Sequence, residues 1–150
     1  MSQQILPIHP HLDRWHNIVF KRDMQDLQTM LAENVVFRSP YLWEPYHGRQ
    51  ATWLILTTVS TVFQDFAYHR ELIDGNNWAL EFSARVGDLS VKGIDLIRLD
   101  AAGLIVDFEV FIRPANGLKA LGLEMARRFK QDSENGHGPD LAKQPAPPTG

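Results

Sequence analysis

The stretch VKGIDLIRLDAAGLIVDFEVFIRP, residues 91–114, reads as two β-strands joined by a tight turn at Asp100-Ala101-Ala102-Gly103. Parity splits the first strand into Val91, Gly93, Asp95, Ile97 and Leu99 on one face and Lys92, Ile94, Leu96 and Arg98 on the other. Successive side chains of a strand point to opposite faces, so Asp95 shares its face with apolar neighbours only. The second strand, 104–113, sets Leu104, Val106, Phe108, Val110 and Ile112 against Asp107, Glu109 and Arg113. A carboxylate in the middle of a dry face is either fixed there by a folding partner or kept there for chemistry.

Working outward, Trp78 to Val86 alternates in the same way, with Trp78, Leu80, Phe82, Ala84 and Val86 on one face. The Asp74-Gly75-Asn76-Asn77 turn joins it to a strand at 66–73. Upstream lie three helical patterns. Pro10 suits a first helical position, and Leu12, Trp15 and Val19 recur at helical spacing as far as Lys21. Asp23 can cap a second short helix that buries Leu27, Met30 and Leu31. The third, from Arg49 to about Phe63, puts Trp53, Leu56 and Val59 or Ser60 on one side. Between the second and third lie a brief strand, Val35 to Pro40, and the aromatic loop YLWEPYHG at 41–48. After the meander, Asn116 can cap a helix carrying Leu118, Leu121, Met125 and Phe129. Residues 1–130 form one domain in this reading, and residues 131–150 are too polar and proline-rich to build a core. Helices followed by antiparallel strands give an α+β fold. A curved antiparallel sheet wrapped around the N-terminal helices, with a C-terminal helix, encloses a cone-shaped interior, and Asp95 projects into it.

Composition narrows the function. The chain has 150 residues, 44% hydrophobic and 22% charged, with a net charge of -3 and no cysteine. Disulfides, thiolate metal sites and cysteine nucleophiles are excluded, and the charge gives no reason to expect nucleic acid or an anionic membrane as partner. The opening MSQQILPIHPHLDRW lacks the basic-then-apolar order of an export signal. No apolar run approaches the roughly 18 residues that span a bilayer, so a cytoplasmic protein is expected. There is no G-x-S-x-G elbow and no phosphate-binding glycine loop. None of the six histidines forms a helical i, i+4 ligand pair with a supporting carboxylate, so neither a metal nor another cofactor is expected.

The order of elements resembles the nuclear transport factor 2-like superfamily, and within it the SnoaL-like and ketosteroid-isomerase-like domains. Gly93-Ile94-Asp95-Leu96-Ile97-Arg98-Leu99-Asp100 followed by Gly103-Leu104-Ile105 is the most specific part, with Tyr46-His47-Gly48-Arg49 before the long helix. The resemblance implies a cystatin-like cone with a pocket for a small hydrophobic molecule. It places Asp95 where the steroid isomerases keep a neutral acid beside an enolate oxygen, the handling of a buried acid for which those enzymes are the standard illustration. Their general base falls on Ser39 and their oxyanion tyrosine on Trp15. With two of three positions changed, steroid isomerisation by that mechanism is not expected. The fold is also similar to that of epoxide hydrolases needing an inward Asp-Arg-Asp set, but Arg98 and Asp107 lie on the outer face unless a bulge turns Asp107 or Glu109 inward.

Two functions from different classes follow. In one, Asp95 is acid, base or hydrogen-bond donor in cofactor-free isomerase, cyclase or hydrolase chemistry on a small apolar molecule. In the other, the domain binds a ligand or dimerises without catalysis, and Asp95 only holds a tyrosine, tryptophan or backbone group. Either way Trp15, Phe37, Phe82, Phe108 and Val110 are expected to line the walls. Ser39 lies beside them, and Tyr41, Trp43, Tyr46 and Trp53 lie at the entrance. The outer sheet face mixes Ile94, Leu96 and Phe111 with Glu81, Arg85, Glu109 and Arg113, a composition that suits a homodimer packed sheet to sheet.

Overall fold

The strand that carries Asp95 alternates as its sequence requires. In β5 (Leu89–Leu99) residues 91, 93, 95, 97 and 99 are buried, and 92, 94, 96 and 98 are exposed. The computed structural model describes residues 9–134. Their order is α1 (Pro10–Lys21), α2 (Met24–Met30), β1 (Leu31–Arg38), β2 (Tyr46–His47), α3 (Arg49–Val62), β3 (Gln64–Asp74), β4 (Asn77–Val86), β5, β6 (Ile105–Arg113) and α4 (Ala115–Glu134). The strands make one curved sheet in the order β2-β1-β6-β5-β4-β3, which does not close on itself.

The meander β3 to β6 is antiparallel throughout, but β1 joins its far edge parallel to β6. The polypeptide passes straight from α2 into that strand. Leu31, expected to be helical, is its first residue and is fully buried opposite Ile105. Pairing then slips over Glu33 and Asn34 before resuming at Val36 opposite Asp107. That slip is why only the part from Val35 onward has a strand-like pattern.

Capping follows the residue chemistry at the first two helices. Pro10 is the first residue of α1, and the Asp23 side chain accepts the Asp26 N–H at the start of α2, 3.0 Å away. Asn116 is not a cap: α4 begins one residue earlier, and the Pro114 carbonyl accepts the Leu118 N–H. The helix runs on to Glu134, so residues 131–134, read as tail, are helical, and residues 135–150 lie outside the described part.

One core cluster joins Leu12, Trp15 and Ile18 of α1 to Leu27, Met30, Trp78, Leu80, Ile97 and Phe108. A second joins Val62 of α3 and Leu121 of α4 to Ala84, Val86 and Val91. Phe108, Val110 and Ile112 point inward as expected, but Leu104 and Val106 do not belong with them. One step along β5, from Arg98 to Leu99, takes two steps along β6, from Asp107 to Ile105. Val106 is the extra residue of a bulge, and Ile105 is the one fully buried. No helix among the described residues is long and apolar enough to cross a membrane.

Candidate functional site

A cavity of about 790 Å³ lies between the concave face of the sheet and the helices. Ile18 and Val19 of α1, Leu56 and Val59 of α3, and Leu121, Met125 and Phe129 of α4 supply one wall. Phe37, Phe108, Val110 and Ile112 supply the sheet side, and polar groups such as Arg22, Gln64, Lys130 and Asp132 also border the space. A mostly apolar hollow with few convergent polar groups is the usual form of a small-molecule site.

Asp95 is one of those few groups. Only 7% of it is exposed, and its Oδ2 accepts a hydrogen bond from the Tyr68 hydroxyl at 2.6 Å. The Tyr68 oxygen in turn accepts the Trp15 indole N–H at 3.0 Å. Among the described residues Oδ1 has no hydrogen-bond partner, and it is not among the sealed, unpaired polar atoms. Burial pushes the carboxyl up to about 7, against the Tyr68 hydrogen bond, which pulls it down. Burial, with the Asp95 charge second, raises the Tyr68 hydroxyl well above the ordinary tyrosine range.

Tyr68 reaches Asp95 because β3 is irregular. Between Gln64 and Ala67, and again between Tyr68 and Glu71, three steps along β3 match two along β4. Asp65, at the first slip, has φ 53°. The second slip puts both Tyr68 and Glu71 on the inner side, opposite Phe82 and Leu80. There Glu71 Oε2 lies 2.6 Å from His16 Nε2 of α1, beside the Tyr68 ring. Sequence reading named neither Tyr68 nor Glu71, since a strand with two extra residues shows no alternation of period two.

The expected site residues divide into two groups. Trp15, Phe37, Ser39, Tyr41, Tyr46, Phe108 and Val110 line the cavity with Asp95. Phe82, Trp53 and Trp43 lie off its lining. Phe82 stacks beneath Phe66, with ring centroids 5.1 Å apart. Trp53 gives its indole N–H to the Met24 carbonyl at 2.7 Å and so ties α3 to α2. Trp43 is 94% exposed. Ser39 Oγ accepts the backbone N–H groups of Tyr41 and Leu42 at 3.2 and 2.9 Å, which fixes the turn that brings Tyr41 into the wall. Tyr41 lies against Gly122 of α4, where any Cβ would come within 2.6 Å of the ring. Burial raises the Tyr46 hydroxyl above its ordinary range. Asp107 stays outside, since the bulge at Val106 precedes it, and it sits between Arg38 and Arg98 at 3.5 and 3.8 Å.

Near neutral pH the Asp95 carboxyl can hold or release one proton, and the oxygen not taken by Tyr68 faces the hollow. That suits hydrogen bonding to, or proton exchange with, one polar atom of an otherwise apolar molecule. The other carboxylates bordering the cavity, Asp65 and Asp132, lie at its rim, Asp65 paired with Arg85 at 2.8 Å.

The profile of the SnoaL-like domain matches residues 12–108. Two solved structures are similar over nearly their whole length. One is a steroid delta-isomerase from Pseudomonas aeruginosa, 49% identical, matching 86% of this chain and 98% of that chain with a TM-score of 0.81. The other is an uncharacterised protein conserved in bacteria, with a cystatin-like fold, from Silicibacter pomeroyi DSS-3. It is 37% identical, with 88% of this chain and 94% of that chain matched and a TM-score of 0.82. An NTF2-like protein of unknown function from Mesorhizobium loti, 20% identical with a TM-score of 0.63, shares the fold. No curated protein matches the chain at a significant level.

Proposed function

The chain belongs to the SnoaL-like domain family of the nuclear transport factor 2-like superfamily, and from that premise we propose that it takes a small, largely apolar molecule into its cavity and exchanges a proton with it through Asp95. One observation carries this reading: a buried carboxyl group, poised near neutrality, lines an apolar hollow with one oxygen that has no partner among the described residues. An enolisable ketone fits that chemistry. The carboxylate takes a proton from the carbon next to the carbonyl, the C–H electron pair becomes the enolate, and the neutral acid returns a proton to carbon. No cofactor is needed. The name of the Pseudomonas aeruginosa relative is in keeping with such an isomerase-type step.

A second reading, ligand binding without catalysis, draws on the lack of a second carboxylate deep in the cavity among the described residues. The ketone 2-tetralone separates the two. In D2O, proton NMR should show the chain speeding hydrogen–deuterium exchange beside the carbonyl, and Asp95→Asn abolishing it. Saturable binding without exchange would leave the binding reading, and absence of binding would refute the pocket role.

We also propose that a second copy covers the outer sheet face. Glu81 is buried there between Arg70 and Lys92, at 2.6 and 3.2 Å, and Arg70 holds its carboxyl well below the usual range. Beside this ionic cluster Phe111, Leu96 and Ile94 are exposed at 50%, 41% and 39% in the single chain.

A further inference from the structure

The Trp15 indole N–H can only donate, and the Tyr68 oxygen at 3.0 Å receives it. A phenol has one proton of its own, and with Asp95 Oδ2 2.6 Å away that proton points to the carboxyl group. The relay therefore has a fixed polarity, Trp15 to Tyr68 to Asp95. Oδ2 acts as an acceptor in both charge states, and a proton taken up by the carboxyl group goes to Oδ1, the oxygen facing the cavity.

We infer that Trp15 and Tyr68 are positioning residues, which hold the exchangeable proton of Asp95 on its cavity-facing oxygen without touching the bound molecule themselves. This rests on the proposed role of Asp95 and assigns Trp15 a part that core packing alone does not require. The indole is 3% exposed and packs on Phe108 with centroids 5.5 Å apart, so its bulk serves the core while its single polar atom serves the relay. The neighbours of Asp95 across the sheet are Leu80 and Val110, which cannot compete for the proton. Glu71 of β3 and His16 of α1 face the relay beside Tyr68, with Glu71 Oε2 and His16 Nε2 2.6 Å apart. Tyr46 of β2 also lines the cavity and is partly buried.

The relay couples the Trp15 indole proton to the Asp95 carboxyl group in the unliganded protein, so NMR tests it without a substrate. In the native chain the Trp15 indole proton should shift with pH at the same midpoint as the Asp95 carboxyl carbon, and Asp95→Asn should leave it flat. Tyr68→Phe removes the donor to the carboxylate and should raise the Asp95 midpoint by about one to two pH units. Trp15→Phe should raise it by a few tenths, since a donor that loses its own donor weakens by roughly 10–30%. With near-UV dichroism confirming the fold, an unmoved or lowered midpoint in Tyr68→Phe would overturn the inference. So would an indole resonance that ignores the Asp95 titration in the native chain. Failure of 2-tetralone to bind would remove the proposed function and leave the relay standing.

Discussion

Replacing Asp95 by Asn should make the protein more stable in base than in acid relative to the native chain. In the unfolded chain the carboxyl ionises near its reference value of about 3.9. In the fold it ionises at about 7. Between those values the folded state holds a proton that the unfolded state has released, so native stability falls as pH rises. The contribution is fully present below about pH 4 and lost above pH 7. Some three units at about 1.4 kcal/mol each give a span of roughly 4 kcal/mol, of which about 2–3 kcal/mol falls between pH 5 and pH 8. Asn keeps an acceptor for Tyr68 and carries no charge, so this slope disappears. Other titrating groups, such as Glu81 and Glu124, are shared by both proteins and cancel in the difference. Urea unfolding at pH 5 and pH 8, followed by fluorescence of the four tryptophans, measures it. Asn should gain about 2–3 kcal/mol over Asp on moving from pH 5 to pH 8. A difference that stays constant with pH would mean that the carboxyl ionises normally and that the buried-acid reasoning is wrong.

Asp95→Leu should cost about 1–3 kcal/mol at pH 5, because the Tyr68 hydroxyl loses its acceptor, and less at pH 8, as the same unfolding curves will show. Gly93→Ala should destabilise by at least about 1–3 kcal/mol, since the new Cβ would lie 2.3 Å from the Phe111 carbonyl oxygen and 2.5 Å from the Phe82 ring; a neutral result in thermal melting would show that β5 can shift. Light scattering at micromolar concentration should give a dimer for the native chain and a monomer for Phe111→Arg, whose added charge falls on the outer face. A β,γ-unsaturated ketosteroid should be isomerised slowly or not at all, since the resemblance to the steroid isomerases sets their base at Ser39, a serine bonded to two backbone amides; rapid absorbance change with the native chain would show that another group supplies the base.

The fold was legible where period and turn chemistry agreed. Each of β4 and β5 has a continuous inner row of five residues, and the turns at Gly75 and Gly103 adopt φ 57° and 86°, conformations that glycine takes at little cost. The parallel partner of β6 was hidden, because β1 starts inside what looks like helix and breaks its pairing at Glu33 and Asn34. The α3 stripe was displaced for a related reason. Its most buried residues are Thr52, Ile55, Thr58 and Val62, with the two threonine hydroxyls bonded back to the Gly48 and Leu54 carbonyls at 2.9 and 2.8 Å. A polar residue satisfied by its own helix can be buried, which a reading by hydrophobicity misses.

The site was half legible, and the division follows from strand regularity. Asp95 stands out because β5 keeps strict alternation, so one acid in a row of apolar residues is anomalous. Tyr68 is equally essential to the geometry, yet β3 gives no such contrast. Its neighbours alternate neither by charge nor by size, and its second slip sends 68 and 71 to the same side although they differ by an odd number. A bulge adds backbone length without a side-chain signature, so it shows only when the partner strand is known. The same logic separates Asp107 from Asp95. Both lie in the meander near bulges, but the slip at Val106 occurs before Asp107 and leaves it outward between two arginines, while the second slip in β3 follows Tyr68 and leaves its ring facing the cavity. Asp107, at the surface, meets the guanidinium groups of Arg38 and Arg98. Asp95 meets a tyrosine in an apolar hollow, where burial outweighs the Tyr68 hydrogen bond, so its neutral form persists towards neutral pH and a proton becomes available for exchange.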